Sequence, residues 1–416
     1  MKVAIVDAYS TGNQISQRLA EQGVESFHIQ SVPSIPRLLE KSFLRSDFKI
    51  NIINDNSWEN LLKKVAIQSP THVIAGSETG VLLADKLSDA LGVQGNDLNL
   101  SQARRNKYLM LDAVKNAGLA AAWQIKSKNL DDLLSQIPNK NFPLILKPLS
   151  SSSGDGFQIC SNEADVRQAF DKIMWRRNIL GELNEGVLCQ AYLRGTEYVV
   201  NSVSHDGEHY ISDIWEMRHR HSKDIPMVID SMTLLPPREP KWQVLVDYTK
   251  RVLTALGISF GPAHSEVMLT QEGPSLIEVN SRLMGGNIDL CFKEAMNGYD
   301  QIDALVDAIV QPKRLYQKLK NGYLLKNHIA EVDFVFYQAG ILRDFFKEAE
   351  IRNLASFGKF TKMPSIGSVV QRTNSTTNVE GLLYLISEDY AQVAADRDKV
   401  VDWQINNQLF NIEALS

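Results

Sequence analysis

No stretch of about 18 consecutive apolar residues occurs in this 416-residue chain, which excludes a hydrophobic transmembrane helix. Base is not in excess either. The 44 Lys and Arg against 49 Asp and Glu give a formal net charge of -5, with no basic footprint and no aromatic-basic platform for nucleic acid. Cysteine is scarce, and Cys160, Cys189 and Cys291 stand too far apart for zinc or redox spacing, as in a reducing compartment. The opening MKVAIVDAYSTG enters a strand-and-turn pattern with an apolar run too short for a signal-peptide core, so a cytoplasmic location is expected. Internal repeats and low-complexity tracts are absent. What remains is the composition of an ordinary globular protein, 44% hydrophobic and 22% charged, long enough for two to four domains.

Residues 1–100 alternate short apolar strands (KVAIVD, ESFHIQ, THVIAG) with helical patterns at Gln14 to Gln22 and Gly80 to Leu91, the signature of an open parallel α/β sheet. Ligands collect at the carboxyl ends of such strands, which singles out Ser10-Thr11-Gly12 and the stretch Gly76 to Gly80. Only one of three required glycines is present after the first strand, so Ser10 to Gly12 reads as a structural turn rather than a dinucleotide fingerprint. Two roles are open to Glu78 and Thr79, capping of the next helix and contact with a substrate. Ser101 to Ala117 reads as one amphipathic helix stopped by Gly118. An α+β region follows, with FPLILKP, FQIC, a helix from Glu163 capped by Asn162, and VLCQAYL and EYVVNSVS as paired strands. Beyond about Asn327, short strands such as AEVDFVFY and GSVVQRT suggest a small β-rich terminal domain. The expected division is 1–100, 101–189, 190–326 and 327–416.

The stretch from Ala263 to Asn287 concentrates acids where a strand pair should be apolar. Two runs flank Gln271-Glu272-Gly273, which reads as a three-residue hairpin loop with Gly in the left-handed position. If Thr270 faces Pro274, Glu266 faces Glu278, with Asn280 and Arg282 on the same face. Directly opposed like charges destabilise a strand pair unless a cation lies between them. Two carboxylates and an amide oxygen suit Mg²⁺, which keeps its remaining positions for water and phosphates. Arg282, Gly285 and Gly286 follow at once, supplying a cation and close backbone approach for an oxyanion.

Lys147 sits in an apolar strand, where an ammonium is costly to bury unless a partner such as phosphate compensates it. The loop Ser150 to Gly156, including Ser152, Ser153, Gly154 and Gly156, can turn successive NH groups toward phosphate oxygens. In QAYLRGTE, Gln190, Tyr192 and Leu193 could read an adenine edge and Glu197 could accept from ribose hydroxyls. The plain alternative is a hairpin turning at Gly195. The basic run Arg218 to Lys223 lacks a third metal ligand near its histidines, and reads as solvated or as a loop closing over phosphates.

Taken in order from about Ser101 to Pro312, these elements resemble the ATP-grasp superfamily. Lys107 in NKYLM matches its first lysine, Lys147 its second, QAYLRGTE its hinge and ribose-binding acid, and Glu266, Glu278 and Asn280 its metal-binding residues. Within the superfamily the chain looks most like the bacterial L-amino acid ligases that form dipeptides, on AGSETG, GPAHSE and EVNSRLMGG. The resemblance implies an ATP-grasp architecture: an N-terminal open parallel α/β domain, a central two-part ATP-binding region and a small β-rich C-terminal domain. It also implies ATP and Mg²⁺, with Mn²⁺ as an allowed substitute, amino acid substrates, and a homodimer as an allowed assembly. Arg282 would stabilise the acyl-phosphate and tetrahedral intermediates, while Glu78, Thr79, Asp230, His264, Gly285 and Gly286 would be substrate contacts. Two competing readings are a ligase using another amine or bicarbonate, and an ATP-binding regulatory protein without turnover.

Overall fold

A computed structural model describes residues 1–138, 141–222, 225–237, 239–286, 288–375 and 378–415, with backbone alone at 221–222 and 225–227. Four strands, β1 (Lys2–Val6), β2 (Glu25–Gln30), β3 (Asn51–Ile53) and β4 (His72–Ala75), form a sheet of order β3-β2-β1-β4, parallel throughout as the sequence pattern implies. Helix Ile15–Glu21 connects β1 to β2 and Trp58–Ile67 connects β3 to β4, while Val81–Leu91 follows β4 and is stopped by Gly92 at φ +64°. At the carboxyl ends the backbones of Gly12 and Gly76 pass so closely that a Cβ on Gly12 would lie 2.1 Å from the Gly76 carbonyl oxygen.

The single helix expected over Ser101 to Ala117 is broken. A short turn at Gln102–Arg104 ends, Asn106 adopts an extended conformation, and helix Lys107–Asn116 begins with the Asn106 side chain accepting from the Tyr108 and Leu109 NH groups. The break has an electrostatic cause. Fully buried Arg104 turns inward to Asp85 (2.7 Å) and the Leu256 carbonyl, and Arg105 turns to Glu78, an arrangement one continuous helix could not offer both arginines.

Next come β5 (Gln124–Ser127), β6 (Leu144–Pro148), β7 (Gln158–Cys160) and β8 (Val187–Ala191), an antiparallel sheet of order β5-β8-β6-β7. Helices Leu130–Gln136 and Glu163–Ile173 cover it through Leu133, Val166, Phe170 and Ile173. The expected pairing of VLCQAYL with EYVVNSVS does not occur. β8 stays in this small sheet, whereas β9 (Thr196–His205) enters a larger one, so Tyr192 to Gly195 is a crossover between sheets. Gly195 serves close approach there, since a Cβ on it would meet the Leu269 carbonyl oxygen at 2.1 Å.

The large sheet continues with β10 (Glu208–Ser222), β11 (Ile225–Leu234), β12 (Gly261–Thr270) and β13 (Gly273–Asn280). Six strands follow in the chain: β14 (His328–Asp333), β15 (Gly340–Phe345), β16 (Phe357–Thr361), β17 (Val369–Val370), β18 (Leu382–Ser387) and β19 (Phe410–Ala414). The order is β13-β12-β9-β10-β11-β14-β18-β16, with β17-β15-β19 as a separate small sheet. The C-terminal stretch is therefore divided: β15, β17 and β19 form their own small sheet, whereas β14, β16 and β18 extend the sheet that carries Glu266 and Glu278. It also holds helix Tyr390–Ile405, invisible to apolar periodicity because its buried stripe includes Asp396, Arg397 and Gln404 beside Val393 and Val400. Helix Pro240–Ala255 covers one face of the large sheet with Trp242, Leu245, Tyr248 and Val252 at helical spacing. The opposite face carries Glu197, Glu266 and Glu278 at one end and packs against helix Gln301–Val310 through Val203 and Tyr210 at the other. Among the described residues no helix is long and apolar enough to cross a membrane.

The β12-β13 hairpin corrects one step of the sequence argument. Thr270 pairs with Gly273 across a two-residue loop, one position tighter than expected, and Gly273 carries φ +114°. A bulge at Ile277 then restores the register, so Glu266 does face Glu278 and His264 faces Asn280.

Candidate active site

The opposed pair Glu266 and Glu278 lies across the cleft from β6, and two lysines reach it. Lys107, the first residue of its helix, places Nζ 2.7 Å from Glu278 Oε2 and 2.9 Å from the Ser151 carbonyl oxygen. Lys147 is buried on β6, where desolvation first, and then Lys107, push its ammonium down to about 8 despite Glu278, Glu266 and Glu197 nearby. The two acids respond oppositely. Burial opposes ionisation of Glu278, yet Lys107 and Lys147 outweigh it and hold that carboxyl down at about 2. Glu266 is pushed up by burial and by the charge of Glu278. Asn280 Nδ2 donates to Glu278 Oε1 at 2.8 Å, leaving its amide oxygen for a further ligand. Two facing carboxylates and an amide, with no third acid converging among the described residues, fit a hard divalent ion that completes its shell with water and phosphate oxygens.

The loop after Lys147 turns at Ser153 and Gly154, with φ of +58° and +70°, closed by the Asp155 NH donating to the Ser152 carbonyl at 3.1 Å. Gly156, at φ +71°, approaches Pro148 so closely that a Cβ would lie 2.8 Å from its ring. Asp155 braces the loop by accepting from Ser151 Oγ (2.7 Å) and the Ile179 NH (2.9 Å).

Arg282 leaves β13 and returns toward the N-terminal sheet. Its Nε donates to Glu78 Oε2 (3.1 Å) and Nη1 to the Leu283 carbonyl (2.7 Å), while Nη2 has no acceptor among the described residues. Glu78 is buried, and its other oxygen accepts from Arg105. Arg105 continues to Glu182 (3.1 Å), which in turn accepts from Ser150 Oγ (3.0 Å). One ionic chain thus joins the strand ends of the first sheet, the glycine-rich loop and Arg282. Ser10 and Thr11 donate to the Gly286 carbonyl at 3.0 and 2.6 Å, fixing the backbone beyond Arg282 from the same strand ends.

Residues 140–290 match the ATP-grasp domain family. Dapdiamide A synthase of Enterobacter agglomerans is 33% identical over 332 residues, covering 78% of this chain and 77% of that protein. The chain belongs to the ATP-grasp ligases. It is an enzyme of the class that forms carbon-nitrogen bonds. The L-amino acid ligase of Bacillus licheniformis shares the fold at a TM-score of 0.72 and 15% identity, over 100% of this chain and 99% of that one. Carboxyaminoimidazole ribonucleotide synthase of Aspergillus clavatus, complexed with ATP, does so at 0.65 and 13%, over 97% and 98%.

The remaining candidate residues of this ATP-grasp ligase fall in different places. Gln190 is buried on β8 and donates to Gln124 (3.2 Å), with Tyr192 and Leu193 just beyond on the crossover. Glu197 accepts from His219 Nε2 at 2.9 Å. Thr79 donates to Asp7 Oδ2 (2.6 Å), tying the strand ends together rather than capping a helix. His264 turns Nδ1 to Asn201 (2.9 Å) and Nε2 to Glu266 (3.4 Å), so both nitrogens face protein. Gly285 lies beside Arg282, and Gly286 carries φ +84°. Asp230 is on β11, away from the carboxylate pair, with Arg220 3.5 Å away. Of the basic run, Arg218 pairs with Glu216 and Asp398. The side chains of His221 and Ser222, all of Lys223, and Asn287 lie outside the described residues. Sequence reading missed Arg105 and Glu182. The Arg104-Arg105 pair just ahead of Lys107 was a signal, but nothing local marks Glu182.

Proposed function

We propose that the enzyme joins two L-amino acids into a dipeptide. A carboxylate oxygen of the first attacks the γ-phosphorus of ATP and ADP leaves. The amine nitrogen of the second then attacks the acyl carbon, inorganic phosphate departs, and the amine proton is lost. The observation that carries this reading is the free Nη2 edge of Arg282, held by Glu78 and Leu283 two residues beyond the strand that bears Glu278 and Asn280. A module that only binds ATP has no use for a cation braced in this way, whereas charge developing on an acyl oxygen does. The names of the synthase and ligase relatives point to amino acid substrates as well.

Lys107 and Lys147 would position the triphosphate, with Gln190, Tyr192, Leu193 and Glu197 at the nucleoside end. Glu266, Glu278 and Asn280 would hold Mg²⁺, or Mn²⁺ in its place, and the ion when bound neutralises phosphate charge. The Ser150 to Gly156 loop would close over the phosphates and keep water from the acyl phosphate. The cell compartment in this reading is the cytoplasm. Incubating the enzyme with ATP and the twenty L-amino acids, singly and in pairs, with chromatography of the nucleotide and mass detection of products, tests it. ADP, phosphate and a dipeptide are expected. AMP and pyrophosphate, or ADP release independent of amino acids, overturn it.

A further inference from the structure

Buried Glu78 lies between two guanidinium groups and gives each of them one oxygen. Its Oε1 accepts from Arg105 Nη1, and its Oε2 accepts from Arg282 Nε at 3.1 Å. A guanidinium fork gains most by taking both oxygens of one carboxylate through two parallel charge-assisted bonds. Arg105 does not do so, because its other terminal nitrogen is engaged: Nη2 donates to Glu182 Oε1 at 3.1 Å.

Glu182 is held at a fixed place although its side chain is 45% exposed. Its NH donates to Asn178 Oδ1 (2.9 Å), its carbonyl accepts from the Asn178 NH (2.8 Å), and Gly181 at φ +85° completes the turn between them. Its Oε2 accepts from Ser150 Oγ (3.0 Å) and from Asn178 Nδ2 (3.2 Å), which also donates to the Ser150 carbonyl (2.7 Å). The same turn gives the Ile179 NH to Asp155 of the glycine-rich loop. One carboxylate thus stands between the entrance of that loop and Arg105.

An ion pair with an exposed partner contributes little to stability, since water screens the charge and the long side chain loses freedom. Its effect on Arg105 is larger. The Arg105 side chain is 6% exposed, and among the described residues its ion-pair partners are Glu78 and Glu182. Without the Glu182 charge, Nη2 would be left in a desolvated setting where the remaining carboxylate is Glu78. Both Glu78 oxygens would then go to Arg105, and Arg282 Nε would lose its acceptor. We propose that Glu182 is a positioning residue for Arg282: by occupying one side of Arg105 it reserves Glu78 Oε2 for Arg282, and so aims the free Nη2 edge. This rests on the role given to Arg282 in the ligase reading above.

The experiment compares Glu182→Gln with the native enzyme, with Arg282 intact and in the Arg282→Ala background, by ADP release and dipeptide formation. With Arg282 present, Glu182→Gln should lower kcat about fivefold, leave KM for ATP within about twofold, and raise the ADP released per dipeptide. In Arg282→Ala the same change should alter kcat by less than about twofold, because the residue it acts through is gone. An unmoved kcat in the folded variant overturns the proposal, as does an equal loss in both backgrounds. So does a rise in KM for ATP alone, which would make Glu182 a support of the loop only. A second readout needs no turnover. The Arg282 Nε–H resonance, identified by its loss in Arg282→Ala, should exchange with water about fivefold faster in Glu182→Gln, and unchanged exchange overturns the proposal. If no amino acid supports ADP release, the ligase reading fails, and the exchange rate alone decides whether Glu182 positions Arg282.

Discussion

Lys107 Nζ pairs with Glu278 Oε2 at 2.7 Å while donating to the Ser151 carbonyl oxygen at 2.9 Å, so one ammonium ties the metal-site strand to the glycine-rich loop. The same pair keeps Glu278 ionised although it is buried. Whatever binds between the two sheets meets a carboxylate already charged and a lysine already aimed.

Glu278→Gln should raise the Mg²⁺ concentration needed for half-maximal activity and lower turnover together, read by titrating the ion at saturating ATP. The same variant carries a stability signature. Glu278 falls from its ordinary 4.5 to about 2, so its stabilisation is complete above pH 4.5 and is lost as pH falls from there toward 2. By itself the shift corresponds to about 3 kcal/mol, offset in part by the raised Glu266. Urea unfolding of both proteins should show their stability difference shrinking as pH falls through that window. A gap independent of pH would contradict the assignment.

Lys147 offers a proton-linked test. Its ammonium is held near about 8 in the free protein, against an ordinary 10.5, so below pH 8 the folded state bears the cost of a buried charge, relieved as pH rises from 8 toward 10.5. A bound triphosphate raises this value again. Calorimetry of ATP binding in buffers of different ionisation enthalpy should show proton uptake near pH 8.5, little near pH 6.5, and none in Lys147→Met, which should also bind ATP far more weakly.

Arg282→Ala should lose about 10² or more in kcat while keeping ATP affinity, and lysine there should not restore it, lacking the planar fork. Glu78→Gln removes the charge that holds Nε in place and should lower kcat by a smaller factor. Because the two act through one contact, the double variant should fall well short of the product of the single losses. Independent, multiplying losses would show that Glu78 works elsewhere.

Thr79→Val removes a donor from Asp7, a fully buried carboxyl that burial already pushes up and that Ser31 also supports. A loss of about 1–2 kcal/mol in denaturant unfolding is expected. A shift in amino acid preference with stability unchanged would instead place Thr79 against substrate.

Much of this protein was legible in local pattern. The parallel first sheet follows from apolar strands alternating with amphipathic helices, and the opposition of Glu266 and Glu278 follows from a hairpin with a period of two. In both cases the pattern that reveals the element, strand-helix alternation or a period of two, is written within the local segment. Even there the register came right through a bulge at Ile277 that the sequence did not announce. What only the tertiary structure decided depends on distant partners. Buried charges broke the Ser101 to Ala117 helix, a crossover sent β8 and β9 into different sheets, and β14 was drawn into the large sheet. Likewise Glu78 meets Arg282 across 204 positions of chain, and Arg105 meets Glu182 across 77. Such contacts arise because packing brings desolvated charges together, and a buried arginine takes whichever carboxylate the fold delivers.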